Sequence, residues 1–437
     1  MIVNTVKRDG DGMKKMLLAG IACFLMSCEF SWAETPTFSE TDWPWWRGAG
    51  RQGHAVGDQD PPTQWSDSDD GTRNIIWKTP LPDRGHGSPI LLGDRVYLQV
   101  ADKARNSQLL VCLNRDSGEL VWEAVVHEGE FDTVDQREPN TRASWASCTP
   151  ATDGERVFVN FYSNKAVYTS AVSLDGELLW QQKLCRYQIH QGYGSSPTVY
   201  DDLVIASADN KAGGQVVAMD RVTGNVVWRH QRPKEPNYPS PVVLSVAGKD
   251  QLVLTGCDLV TSLDPKTGTV NWEIEGATTE CVTTTVTDGK HVFTSGGYPQ
   301  SHISAVVADG SGEIAWEVGT RVYVPSMLHQ DGNLFMTLDA GVAMCVDCET
   351  GETKWKSRLG GDFTSSPVLV NERIYAVNEE GTCFIFAADS ESFELIAENK
   401  LGDSVMATPA ISGGRIYLRV GVQEGDQRQE YLYCIGE

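Results

Sequence analysis

A Ser or Thr, usually followed by Pro, recurs along most of this chain at nearly constant spacing. The markers are Ser88-Pro89, Thr149-Pro150, Ser196-Pro197, Ser240-Pro241, Thr284-Thr285, Ser326-Met327, Ser366-Pro367 and Thr408-Pro409. Successive markers lie 61, 47, 44, 44, 42, 40 and 42 residues apart. A module of that length cannot bury its own apolar surface and must stack on its neighbours. A second marker recurs inside the modules, a glycine four residues before a tryptophan. It pairs Gly118 with Trp122, Gly176 with Trp180, Gly224 with Trp228, Gly268 with Trp272, Gly312 with Trp316 and Gly351 with Trp355. Runs such as Asp220 to Gly224 and Asp264 to Gly268 explain the glycine. Asp and Thr form local turn hydrogen bonds, and Gly takes the positive φ that closes a hairpin. The strand that follows carries a large ring able to pack between neighbouring sheets.

Between the markers the sequence alternates apolar and polar, as over Arg95–Val100 and Arg415–Val420, and no segment keeps a helical period. Four short strands per module at this period predict an all-β fold, an eight-bladed β-propeller. The seventh module departs from the pattern, with Phe393 in place of the glycine and Ala397 in place of the tryptophan. The eighth ends after three strands, while Trp77 stands at the other end of the propeller with no strands of its own before it. The N-terminal strand is therefore expected to complete the last blade and close the ring. Deleting residues 73–80 should destabilise the whole ring. The expected organisation is a leader over 1–33, an arm over 34–72 and one propeller over 73–437.

These residues resemble the quinoprotein-like (PQQ-like) propeller repeat, in which Ser-Pro, two strands and a Thr-Gly-x-x-x-Trp hairpin recur. The likeness covers about residues 74–437. Trp43 to Gly48, Gly85 to Pro89, Gly296 to Pro299 and Tyr433 to Glu437 also resemble a group of exported bacterial propellers abundant in planctomycetes. The repeat is shared with quinone-dependent alcohol dehydrogenases and with the BamB-like propeller lipoprotein of outer-membrane barrel assembly. A shared repeat does not carry an activity with it. The resemblance to the dehydrogenases implies adjacent cysteines over the cofactor, a calcium held by Glu and Asn, and an Asp base. No two cysteines are adjacent in this chain. No cofactor is therefore predicted, PQQ with calcium included.

Lys14 and Lys15, the apolar run Met16 to Met26 and the small residues Ser31 and Ala33 follow the order of a secretory leader, with a start at Met1 or at Met13. Leu25 to Cys28 offers a second reading, lipidation at Cys28. Either reading exports the chain to the periplasm or cell envelope, and no later run is long enough to span a bilayer. The net charge of −23 makes nucleic acid an unfavourable partner. Nine cysteines lie beyond the leader without a disulfide framework, and Cys112, Cys345 and Cys434 share one position in their repeats. Packed thiols are expected there, and no zinc site at Cys345 and Cys348.

Loops leading into the first strands converge on one mouth of a propeller channel. That places His86, Arg142, His190, Tyr193, Tyr238, Arg321, Tyr323 and Asp362 as candidate contacts for a ligand or partner, with Trp77, Trp122, Trp180, Trp228, Trp272, Trp316 and Trp355 as structural blade residues. The glycines of Gly85-His86-Gly87 and Gln191-Gly192-Tyr193-Gly194 read as points of close backbone approach to a ligand. Trp43, Trp45 and Trp46 are expected to pack on a blade face, and residues 124–145 form the longest insertion. No phosphate loop, nucleophile elbow or HExxH motif occurs, so no catalytic set is assigned. Two imidazoles, His86 and His190, make no metal site without a carboxylate motif. The expected function is a non-enzymatic envelope scaffold that binds an envelope protein or small ligand. The alternatives are a PQQ- or metal-dependent oxidoreductase and a carbohydrate-binding or carbohydrate-active propeller.

Overall fold

Alternation in the sequence becomes strand pairing along the whole repeat region. The computed structural model describes residues 36–68, 71–129 and 143–437. Eight antiparallel four-stranded sheets follow one another, together with a two-stranded hairpin of Ser66–Ser68 and Gly71–Arg73. Blades 1 to 7 are residues 90–128, 151–186, 198–231, 242–275, 286–318, 328–358 and 368–400. Blade 8 combines residues 410–435 with Ile75–Leu81. Each marker immediately precedes the first strand of its blade. No helix occurs among the described residues.

Burial follows position within the blade. In blade 1 the second strand, Arg95–Asp102, is buried at every residue but the first, because neighbouring blades cover both faces. The outer strand, Leu120–Glu128, mixes exposed and buried residues. That strand absorbs the first residues of the expected 124–145 insertion, and Arg137 and Arg142 lie outside the described residues.

The blade tryptophans join one blade to the next. Trp77, Trp122, Trp180, Trp228, Trp316 and Trp355 donate their indole N–H to carbonyls of Arg115, Leu174, Arg221, Pro265, Cys348 and Asp389, at 2.7–3.2 Å, each in the turn of the following blade. The ring then covers the turn glycine. At Gly224 (φ +73) a Cβ would lie 2.6 Å from the Trp180 ring, so that position needs glycine for space as well as for φ. Trp272 differs, donating to Gln251 Oε1 of its own blade at 2.8 Å. Truncating a tryptophan at such a joint to Ala costs about 3–5 kcal/mol. Cys112, Cys345 and Cys434 sit directly opposite Trp122, Trp355 and Trp77, fully buried and free. Burial raises the Cys112 and Cys345 thiols to about 12, so both are inert packing groups.

The degenerate seventh module is supported from within and from outside. Phe393 takes the Trp355 ring edge-on at 5.5 Å. Trp65 from the N-terminal arm, 5% exposed, joins the buried cluster that holds Ala397. Trp65 N donates to Asn399 Oδ1 (2.9 Å) and Asn399 Nδ2 donates to Thr63 O (3.0 Å). Closure of the ring runs through Ile75–Leu81, with Trp77 opposite Cys434 and Thr79 opposite Leu432. Arg73, read from sequence as the start of this strand, belongs to the preceding hairpin.

Candidate functional site

Why the marker is Ser or Thr is visible in the hydrogen bonds. The backbone N–H of Ser88 donates to Thr149 Oγ1 (3.1 Å), Thr149 to Ser196 Oγ, and Ser196 to Ser240 Oγ (both 2.9 Å). The run resumes from Thr284 to Ser326, Ser326 to Ser366 and Ser366 to Thr408, each at 2.9 Å. A belt of hydroxyls thus staples successive blades around the channel. One of its two breaks is at Thr284, whose hydroxyl takes the indole N–H of Trp46 instead (2.8 Å).

Trp46 belongs to an arm that crosses the base of the propeller. Trp43 pairs with Leu91, Pro44 O accepts from Thr152 N, and Arg51 donates to Thr198 Oγ1 and Val199 O. Gln52 Oε1 accepts from Thr287 N, and Ala55 pairs with Leu369. Trp43, Trp45 and Trp46 therefore tie several blades together, where a single blade face had been expected. Arg47, 1% exposed, donates through Nη2 to Gln52 O (2.8 Å) and to Met327 O, while its Nε and Nη1 have no partner. Burial lowers both Arg47 and Arg51 to about 9. Burial, then the charge of Arg47, lowers His54 to about 4.

Above this floor lies a cavity of about 310 Å³ that opens at the opposite mouth. Of the candidate residues, His86, Tyr193, Tyr238, Arg321 and Tyr323 line it. His190 is exposed and does not line the cavity; its Nδ1 accepts from Lys211 Nζ and its Nε2 donates to Glu280 Oε1, both at 3.1 Å. Asp362 is exposed on a separate groove with Arg358, Glu379 and Ser404. Arg142 lies outside the described residues.

The lining groups differ in what they have left to offer. Tyr193 is buried, and its hydroxyl donates to Ser207 O at 2.9 Å. His86 Nε2 accepts from Arg84 Nε at 3.0 Å. Arg321 is exposed, holds Gly297 O at 2.6 Å and sits 4.9 Å above the Tyr323 ring. Tyr323 leans its hydroxyl towards Glu280 Oε2 (3.4 Å), and its N–H donates to Asp339 Oδ2 (2.8 Å). Burial first, then the Glu280 charge, raises the phenols of Tyr238 and Tyr323. Burial also raises the Asp339 carboxyl.

Sequence reasoning missed Glu280, 5% exposed, and the floor role of Trp46. Nothing in the sequence around either residue tells where it sits; long-range packing brings Trp46 to the cavity and Glu280 against Tyr323. The glycines of Gly85-His86-Gly87 serve packing. A Cβ at Gly85 would meet the Arg419 guanidinium at 2.1 Å, and one at Gly87 the Cys148 carbonyl at 2.2 Å.

The architecture has relatives among solved structures. BamB from Moraxella catarrhalis aligns at 12% identity over 82% of this chain and 98% of its own, with a TM-score of 0.57. A europium-containing methanol dehydrogenase aligns at 11% identity over 91% and 98%, with a TM-score of 0.67. The quinohemoprotein alcohol dehydrogenase from Comamonas testosteroni aligns at 12% identity over 91% and 81%, with a TM-score of 0.64. At these identities the likeness speaks for the fold alone. A search of curated proteins found no match. A family model described as outer membrane protein assembly factor BamB matches residues 105–357 and 299–419, most of the propeller. With its repeats, stapled blades and closed ring, the chain belongs to this BamB family of PQQ-repeat propellers.

Proposed function

We propose that the protein is a non-enzymatic binding propeller of the cell envelope, which receives a small ligand or a segment of a partner protein in its channel. The observation that carries this reading is the asymmetry of the channel. One end is stopped by Trp46 and the arm, and the other is open between Tyr238, Tyr323, Arg321 and His86. A stopped channel is a cup, and concave sites with a few placed polar groups are where proteins bind. Export rests on the leader, which lies outside the described residues. No helix among those residues is long and apolar enough to cross a membrane.

The donor set fits poorly with a quinone and calcium. No Asp or Glu lines the cavity among the described residues, so the carboxylate oxygens calcium prefers are missing from its wall. Capture from envelope extract with crosslinking tests the proposal. A partner protein should co-purify reproducibly and be lost with Arg321→Glu. Recovery of the chain alone in repeated crosslinked runs would remove the partner reading. A melting shift specific to the quinone with calcium would revive the oxidoreductase.

A further inference from the structure

The belt hydroxyls have a property that stapling does not use. Seven of them line the cavity, from Thr149 round to Thr408. Each has its oxygen engaged as an acceptor, six by a backbone N–H and Thr284 by Trp46. None of the seven donates its own O–H to another described residue. A hydroxyl has one proton to give, and in a narrow channel that proton goes to whatever fills the space. Seven such donors therefore line one cavity, whose wall also holds the Trp46 ring.

The electrostatics of the wall point the same way. The chain holds 59 acidic residues, yet none lines the cavity among the described residues. Arg321 stands at the rim, and the carboxylate behind the wall, Glu280, is taken by His190 and approached by Tyr323. A wall rich in donors, with a guanidinium and no carboxylate, complements a group that only accepts. A sugar, whose hydroxyls also need acceptors, fits it less well.

We propose that the waist of the channel is an oxyanion site for the carboxylate of a small organic acid, whose apolar body lies against Tyr238, Val282, Val324 and Met406 nearer the mouth. The proposal rests on reading the channel as a binding cup.

Benzoate and its neutral isostere benzamide are the probes, titrated into the full chain by calorimetry and followed by melting temperature. Benzoate should bind saturably and raise the melting temperature, with benzamide at least about tenfold weaker. Thr408→Val removes one donor, and with it the acceptor of the Ser366 N–H; it should weaken benzoate about tenfold, and near-UV circular dichroism checks that the staple's loss leaves the fold intact. Arg321→Gln, at an exposed rim position, should weaken it less and serves if the belt variant folds poorly. Equal binding of the two probes, no benzoate binding at millimolar concentration, or indifference to both substitutions would overturn the oxyanion site. A partner protein captured through the mouth and not displaced by benzoate would leave the cup standing and remove the small-acid ligand.

Discussion

At its base the channel is stopped by a segment distant in sequence from the blades it touches, whereas at its mouth the blades' own connecting loops stand apart and leave an opening. The base is buried. Trp43 and Trp45 are 3% and 8% exposed, and Arg47 reaches carbonyls from both the arm and blade 6. The mouth is open, with Arg321 exposed and Tyr238 and Tyr323 half-buried. Both ends sit on the same belt of Ser and Thr. What differs is exposure: the base encloses its polar groups, some of them unpartnered, such as Arg47 Nε and Nη1 and Trp45 Nε1, whereas the groups at the mouth face an opening. Substitutions at the base should therefore read out as stability, and substitutions at the mouth as binding.

The largest effect should come from removing the arm, residues 36–65. Three buried tryptophans leave with it, Trp43, Trp45 and Trp65, at about 3–5 kcal/mol each. The loss, on the order of 10 kcal/mol, is comparable with the whole stability of a domain. Urea unfolding of the truncated chain should show no cooperative transition at the wild-type midpoint. If it melts like the full chain, the base is decoration and the contrast between the two ends fails.

Next comes Arg47→Ala, expected to cost roughly 4 kcal/mol in denaturant, because it leaves a cavity and orphans two carbonyls. Arg47→Met sharpens the point. It keeps most of the volume and removes a buried cation that has no carboxylate partner, so it should cost only about 1–2 kcal/mol. A cost for Met as large as for Ala would mean that the charge itself, and not the packing, holds the arm.

His54 gives the base a pH dependence. Its folded value of about 4 lies below the ordinary 6.5, so between these values the unfolded chain binds more protons. Stability held by the neutral ring is fully present above pH 6.5 and is lost as the pH falls towards 4, by roughly 3 kcal/mol over that window. His54→Gln should flatten this part of the stability profile. An unchanged slope would place the acid sensitivity elsewhere, with His127, also held near 4 by burial, as the next residue to substitute.

How much of this was legible in the sequence depends on range. The eight blades, the donated strand at Trp77 and the defects at Phe393 and Ala397 were readable, because hairpin chemistry and the repeat period are local signals. The docking of Trp65 and Thr63 on Asn399 was not, since nothing near these residues announces a contact between positions so far apart. At the site, five of the residues named from the loops leading into the first strands line one cavity. His190 and Asp362 share those loops, but their side chains turn to Glu280 and to a neighbouring groove. Loop position fixes where a backbone passes; the side chain's direction depends on which neighbour offers a charge or a hydrogen bond. The marker was read as punctuation, and its hydroxyl chemistry emerged only when consecutive blades were seen side by side.

The smallest expected effect is the sharpest test of the contrast. Tyr323 leans its proton towards Glu280 at 3.4 Å, a long contact at a half-buried position. Tyr323→Phe should therefore change stability by no more than about 0.5 kcal/mol. Glu280 keeps its bond from His190, so the substitution strands no charge. Because the phenol proton faces Glu280, the channel sees the phenol oxygen as an acceptor. Removing an acceptor should leave benzoate affinity within about twofold of wild type or raise it slightly, while a ligand that donates to that oxygen would lose several-fold. A tenfold loss of benzoate on Tyr323→Phe would show the phenol turned into the channel as a donor, and the division of groups between wall and cup would have to be redrawn at this residue.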